Sequence, residues 1–101
     1  MRKIINGRKY NTKTAECVGE MASTYNFNDG YYYWEELYRK RTGEFFLHGA
    51  GNGLSPYAQS VGMGSTSGEN IFPISEEDAR KWGEKYMSVG EYESIFGEVE
   101  E

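Results

Sequence analysis

Cysteine, histidine and proline are nearly missing from this chain of 101 residues, which has one Cys, one His and two Pro. A single Cys17 excludes an intrachain disulfide, in keeping with a reducing compartment, and leaves the core to stabilise the fold unaided. Cys17 and His48 stand 31 positions apart with no second Cys or His near either, so no zinc-type spacing exists and neither metal nor cofactor is expected. No stretch approaches the ~18 apolar residues of a membrane span. The basic start Met1-Arg2-Lys3-Ile4-Ile5-Asn6 is not followed by the apolar segment of a secretory signal. The expectation is a cytoplasmic protein with no membrane partner.

Aliphatic side chains are scarce as well. Leu, Ile, Val and Phe together number 17, below the roughly 20% under which highly charged chains tend to be disordered. Rings fill the gap: nine Tyr, five Phe and two Trp, with four Met beside them. A core is therefore expected, built from large side chains with polar tips. At this length many of those rings stay partly at the surface.

Asn6-Gly7 between Ile4-Ile5 and Arg8-Lys9-Tyr10 predicts an opening hairpin with a type I′ turn. Asn11 or Thr12 is placed to cap a helix whose stripe is Ala15, Val18 and Met21 or Ala22, at spacings of three and four, fading at Ser23. Tyr31 to Arg41, then Thr42-Gly43, then Glu44 to His48, forms the strongest hairpin signal. Alternation puts Tyr32, Trp34, Glu36, Tyr38 and Lys40 on one face and Tyr33, Glu35, Leu37, Arg39 and Arg41 on the other. Neither face is wholly apolar, so the pattern leaves the inward face open.

Residues 49–69 read as a Gly/Ser-rich loop that is functional, partly mobile, or interrupted by a turn near Pro56-Tyr57-Ala58. Asn70 to Ile74 reads as a short edge strand, because Pro73 is barred from a central ladder position. Ser75-Glu76-Glu77-Asp78 opens a helix with apolar line Ala79, Trp82 and Tyr86, expected to end at Gly90. A last short turn or helix, Glu91 to Phe96, precedes an acidic tail at 97–101. The order predicts a single α+β domain over residues 1–101: a small, mostly antiparallel sheet of two hairpins plus a short edge strand, with helices packed on one face.

Chemical motifs are few. Cys17 and His48 are the one possible nucleophile and base, without an identified third group. Gly49-Ala50-Gly51-Asn52-Gly53 resembles a phosphate loop but runs on into Leu54-Ser55-Pro56, with neither the following helix nor the Lys-Ser/Thr ending such loops require. Glu35-Glu36 and Glu44 carry no feature that separates acid–base work from a solvated strand face.

Charge is more informative. Residues 1–43 hold eight basic and five acidic groups, net +3; residues 44–75 hold two acids, net −2; residues 76–101 hold three basic and nine acidic groups, net −6. Arg39, Lys40 and Arg41 beside the aromatic run suit backbone contact plus stacking on single-stranded nucleic acid. The pI near 4.9 and Glu35-Glu36 oppose that reading. The acids Glu91, Glu93, Glu98, Glu100 and Glu101 have no basic residue among them and would suit a partner's basic nucleic-acid channel.

Three segments together carry a resemblance. Lys3-Ile4-Ile5-Asn6-Gly7-Arg8-Lys9-Tyr10-Asn11-Thr12 with Thr14-Ala15 opens the chain, and Leu37-Tyr38-Arg39-Lys40 through Gly43-Glu44-Phe45-Phe46-Leu47-His48-Gly49 marks its middle. Pro73-Ile74-Ser75-Glu76-Glu77 through Trp82, with Tyr92-Glu93-Ser94-Ile95-Phe96-Gly97, closes it. Over almost its whole length the chain resembles a family of small phage and mobile-element proteins of Firmicutes related to type II anti-CRISPR proteins. The resemblance implies a non-enzymatic inhibitor of a CRISPR effector nuclease, acting on the effector or its guide-RNA complex, and carries over no catalytic residue. On this reading Tyr32, Trp34 and Tyr38 are exposed anchors, Glu91, Glu93 and Glu98 contact the partner, and exposed rings also allow a homo-oligomer. The alternative is an RNA-binding or RNA-processing accessory using Arg39, Lys40 and Arg41.

Overall fold

Asn6 and Gly7 adopt φ of 52° and 77°, the left-handed pair of a type I′ turn, and join β1 (Arg2–Ile5) to β2 (Arg8–Asn11) as expected. The computed structural model describes all residues 1–101. Its central sheet is antiparallel with strand order β3-β4-β5-β8, from β3 (Glu16–Ala22), β4 (Tyr33–Arg39), β5 (Phe45–Gly51) and β8 (Gly68–Ile74). Pro73 lies on β8, an edge strand, where its missing N–H costs no ladder bond on the outer side. Helices α1 (Glu76–Tyr86) and α2 (Val89–Phe96) complete an α+β fold.

Alternation along β4 and β5 divides the core in two. Leu37, Phe45 and Leu47 point to one face and pack with Ala79 and Trp82 of α1, flanked by Ile95 and Phe96 of α2. Tyr38 and Phe46 point to the other face and pack with Ile71 and with Tyr10 of the opening hairpin. The helices thus cover one face of the sheet, and the hairpin covers half of the opposite face. The ambiguity of the aromatic strand has a physical cause: both of its faces are inward over this half.

Two expected elements differ. Residues 12–22 are not a helix; β3 occupies 16–22, with a β-bulge between Cys17 and Gly19. The bulge's extra residue changes the alternation, so Val18 and Met21, three apart, both reach the helix-covered core. Spacing of three therefore mimicked a helical stripe. A Cβ on Gly19 would stand 2.6 Å from Met87 Cε and 2.9 Å from Trp82 Cζ3, so this position must lack a side chain for α1 to lie on β3.

The second difference is the helix break. Ser75 caps α1 as expected, accepting from the Asp78 N–H at 3.1 Å, but α1 ends at Tyr86 with Met87 as its C-cap, and Gly90 lies inside α2. Ser88 starts α2 with a reciprocal capping box: its hydroxyl accepts from the Glu91 N–H at 3.2 Å, and the Glu91 carboxylate accepts from the Ser88 N–H at 3.0 Å. The Ser88 N–H first, and then the Ser88 hydroxyl, holds the Glu91 carboxyl below its ordinary range. Ser88→Ala is expected to lower stability by about 1 kcal/mol. Thermal unfolding followed by circular dichroism checks this; an unchanged midpoint would mean that packing alone holds α2.

The 49–69 segment is largely ordered structure. β5 runs on to Gly51, β6 (Gln59–Val61) and β7 (Gly64–Thr66) form a small hairpin, and β8 begins at Gly68. A turn closed by the Ala58 N–H donating to the Ser55 carbonyl interrupts it where Pro56-Tyr57-Ala58 suggested.

Candidate functional site

β4 and β5 carry the rows that build the site. On the hairpin-bearing face, successive positions of β4 toward its start are Tyr38, Glu36 and Trp34, and opposite them on β5 are Phe46, His48 and Ala50. The opening hairpin covers the Tyr38–Phe46 end. Beyond it the sheet lies open, and Phe27 and Tyr32 from the preceding loop, with Trp34, Ala50, Asn52, Gln59 and Glu69, line a shallow groove of about 660 Å³. Phe27 is 79% exposed.

His48 is the floor between the covered and open halves. Its Nδ1 lies 3.2 Å from Glu36 Oε1 and its Nε2 lies 2.5 Å from Glu69 Oε2. With carboxylates at both nitrogens, both contacts are hydrogen bonds when the ring carries a proton on each. The Tyr38 hydroxyl donates to the same Glu36 oxygen at 3.0 Å; burial first, and then this bond, raises the phenol's pKa. Trp34 meets the imidazole edge-on at 5.1 Å between centroids, so the buried His48 braces the indole that forms the groove wall. Glu20 of β3 stands opposite Glu36, adding a third carboxylate to this face.

Tyr32 and Trp34 are brought together in the groove. Tyr38 is not available as an anchor: it is buried at 8% exposure, its ring stacked on Phe46 at 5.1 Å and 7°. Tyr38 faces the opening hairpin, which composition could not place over that end of the sheet. Glu91, Glu93 and Glu98 lie elsewhere, on or after α2, whose layer covers the opposite face of the sheet. Glu93 accepts from the Val99 N–H at 3.0 Å and ties the tail to α2; Glu98 is exposed. The expected rings and acids thus form two separate surfaces.

The basic residues also part company. Arg39 turns to the helix layer, pairs with Glu16 at 3.1 Å and donates to the Ile95 carbonyl. Lys40 turns the other way, lies 4.3 Å from the Tyr10 ring centroid and pairs with Glu44 at 3.5 Å. Exposed Arg41 joins Lys9 and Lys40 around a cleft of about 240 Å³. Arg8, at 3.0 Å, places a second cation on Glu44, whose carboxyl is held below its usual range by Thr42 first and then by Arg8 and Lys40. Lys40 is six residues along the strand from Trp34, about 20 Å. The rings and the cations do not make one stacking platform.

Cys17 faces no base. Both His48 nitrogens are held by carboxylates, and burial, then the Glu36 charge, pushes the Cys17 thiol up, opposite to what a thiolate nucleophile requires. The glycines of β5 and at the start of β8 serve close packing. A Cβ on Gly49 would collide with the Tyr57 ring, one on Gly51 would stand 2.7 Å from Tyr33 Cβ, and one on Gly68 would strike the Tyr57 carbonyl. The groove residues Phe27, Asn52, Gln59 and Glu69 do not stand out in the sequence; an isolated Phe27 in a polar turn run is the one available signal.

Compared with family models, with curated proteins and with solved structures, the chain matches none. No helix is long and apolar enough to cross a membrane.

Proposed function

We propose that the chain is a non-enzymatic binding protein of the inhibitor kind, which docks its open sheet face on a CRISPR effector nuclease or its guide-RNA complex and blocks nucleic-acid loading or cleavage. The observation that carries the binding role is the gathering of Phe27, Tyr32 and Trp34 around one groove beside Glu69, Glu36 and Glu20. Aromatic anchors in a partly enclosed patch supply most of the energy of typical interfaces, and surrounding charges set orientation and encounter rate. The choice of a CRISPR effector follows from the resemblance of the three sequence segments. The acids of α2 and the tail form a second negative surface, suited to a rim contact with a basic channel.

The test uses purified type II effector with its guide, in binding and DNA-cleavage assays. Tyr32→Ala with Trp34→Ala is expected to weaken binding by about thirtyfold or more, a hot-spot loss of about 2 kcal/mol. Changing Glu91, Glu93, Glu98 and Glu100 to Gln is expected to slow association by a smaller factor. No binding to effector or guide complex would overturn the proposal. A salt-dependent shift of labelled single-stranded RNA by the protein alone would favour the RNA reading instead.

A further inference from the structure

The groove's charge is one-sided. Asn52 uses both hydrogens of its side-chain amide inside the protein, donating to the Phe27 carbonyl at 2.9 Å and the Asp29 carbonyl at 2.7 Å. What it leaves free is its carbonyl oxygen. Glu69 has one oxygen on His48 and a second, Oε1, with no bond within the chain. Gln59 adds an exposed amide, and no Lys or Arg lines the groove. Phe27, Tyr32 and Trp34 line it with aromatic rings. Acceptors and a carboxylate set among aromatic rings suit a ligand that is flat, positively charged and rich in donors.

We infer that this groove is a receptor for a guanidinium, the side chain of an arginine presented by the partner protein. Guanidinium has five N–H donors and no acceptor, which suits the free Glu69 Oε1 and the free side-chain oxygen of Asn52, and it stacks on aromatic faces. Cation–π attraction in a partly desolvated site adds to the carboxylate's pull. Charge complementarity points the same way: the whole chain carries −5, and Glu36 and Glu20 lie on the same face as Glu69. An anionic occupant, phosphate included, would meet the Glu69 carboxylate and no cation here. The bracing of Trp34 by His48, itself fixed from both sides by Glu36 and Glu69, holds the wall in place before the ligand arrives. This inference rests on the binding-protein reading for its partner, not for its chemistry.

The probe is acetyl-Gly-Arg-Gly-amide, titrated into isotopically labelled protein and followed by amide and indole NMR, with the citrulline peptide, neutral but of the same shape, as control. Saturable shifts confined to the Trp34 indole N–H and the Asn52 and Gln59 side-chain amides are expected, with the citrulline peptide at least tenfold weaker. Glu69→Gln, an exposed isosteric change, should weaken the arginine peptide about tenfold while the rest of the spectrum stays dispersed. Equal binding of the two peptides, shifts spread over α2 and the tail instead of the groove, or no shift at all would overturn the inference. If the arginine peptide binds and the effector does not, the effector reading falls and the guanidinium site stands. If the effector is inhibited through Trp34 and the arginine peptide fails to bind, the guanidinium site falls alone.

Discussion

Phe46→Ala is expected to lower stability by about 4 kcal/mol, in the middle of the range for removing a buried ring. For a chain of this size that corresponds to a fall in Tm of roughly 20 °C. The reason lies in how little is buried: only 15 of 101 residues are buried, and Phe46 is among the three largest with no exposure. On one side it stacks on Tyr38, and on the other it meets Tyr10 edge-on at 5.5 Å and 76°. Tyr10 is the buried ring of the opening hairpin, so Phe46 is the surface on which that hairpin sits. Truncation removes the ring's own transfer energy and loosens a two-stranded ribbon that is marginal without packing. Urea unfolding with tyrosine and tryptophan fluorescence measures the loss. Phe46→Leu, which keeps most of the volume, should cost about 1 kcal/mol. A loss below about 1 kcal/mol for Phe46→Ala would show that the hairpin does not dock there.

Where the sequence is legible, a local rule and the tertiary structure agree. Asn6-Gly7 demands a tight turn whatever surrounds it, Thr42-Gly43 joins two aromatic strands that pair along their length, and Ser75 followed by acids caps a helix. It misleads where tertiary structure overrides the pattern. Val18 and Met21 share a face because of a bulge, and the one local hint is Gly19, a poor residue for a helix interior. Ser88 with Glu91 is a readable capping box, yet Gly90 two residues on reads as a terminator and hides it. The groove is only half legible. Tyr32 and Trp34 stand out by composition, but Asn52, Gln59 and Glu69 reach it through pairing of β5 with β8 and of β6 with β7, contacts that no local spacing encodes. Tyr38 looks like its neighbours on the same face and differs only because the hairpin lies over it.

Glu35→Ala is expected to cost about 3 kcal/mol, although Glu35 is a carboxylate on a strand that also bears the exposed site. Its position explains the size. Glu35 Oε2 accepts from the Tyr57 hydroxyl at 2.6 Å and Oε1 accepts from the Trp82 indole N–H at 3.0 Å. Both rings are buried, Tyr57 against the strand and Trp82 in the helix-facing core, so one side chain joins the central sheet, the segment after β5 and α1. Burial and the Glu35 partner together push the Tyr57 phenol well above its usual range, so it stays the donor in this pair. Alanine strands two donors away from water, each costing about 1–3 kcal/mol. Glutamine tests that account against simple loss of volume. Its amide oxygen can accept from Trp82 while its NH₂ donates to the Tyr57 oxygen, so Glu35→Gln should lose about half as much. The two variants are compared by urea unfolding, with exchange of the Trp82 indole N–H followed by NMR. Equal losses for Ala and Gln would mean that the charge matters and the bonds do not. Because Tyr57 also fills the space over Gly49, directly behind the groove's floor strand, the alanine variant is further expected to loosen the site and broaden the Trp34 indole signal. Two carboxylates that stand side by side in the sequence thus serve opposite faces of one strand, since Glu36 braces the binding face through His48 and Glu35 fastens the layer behind it.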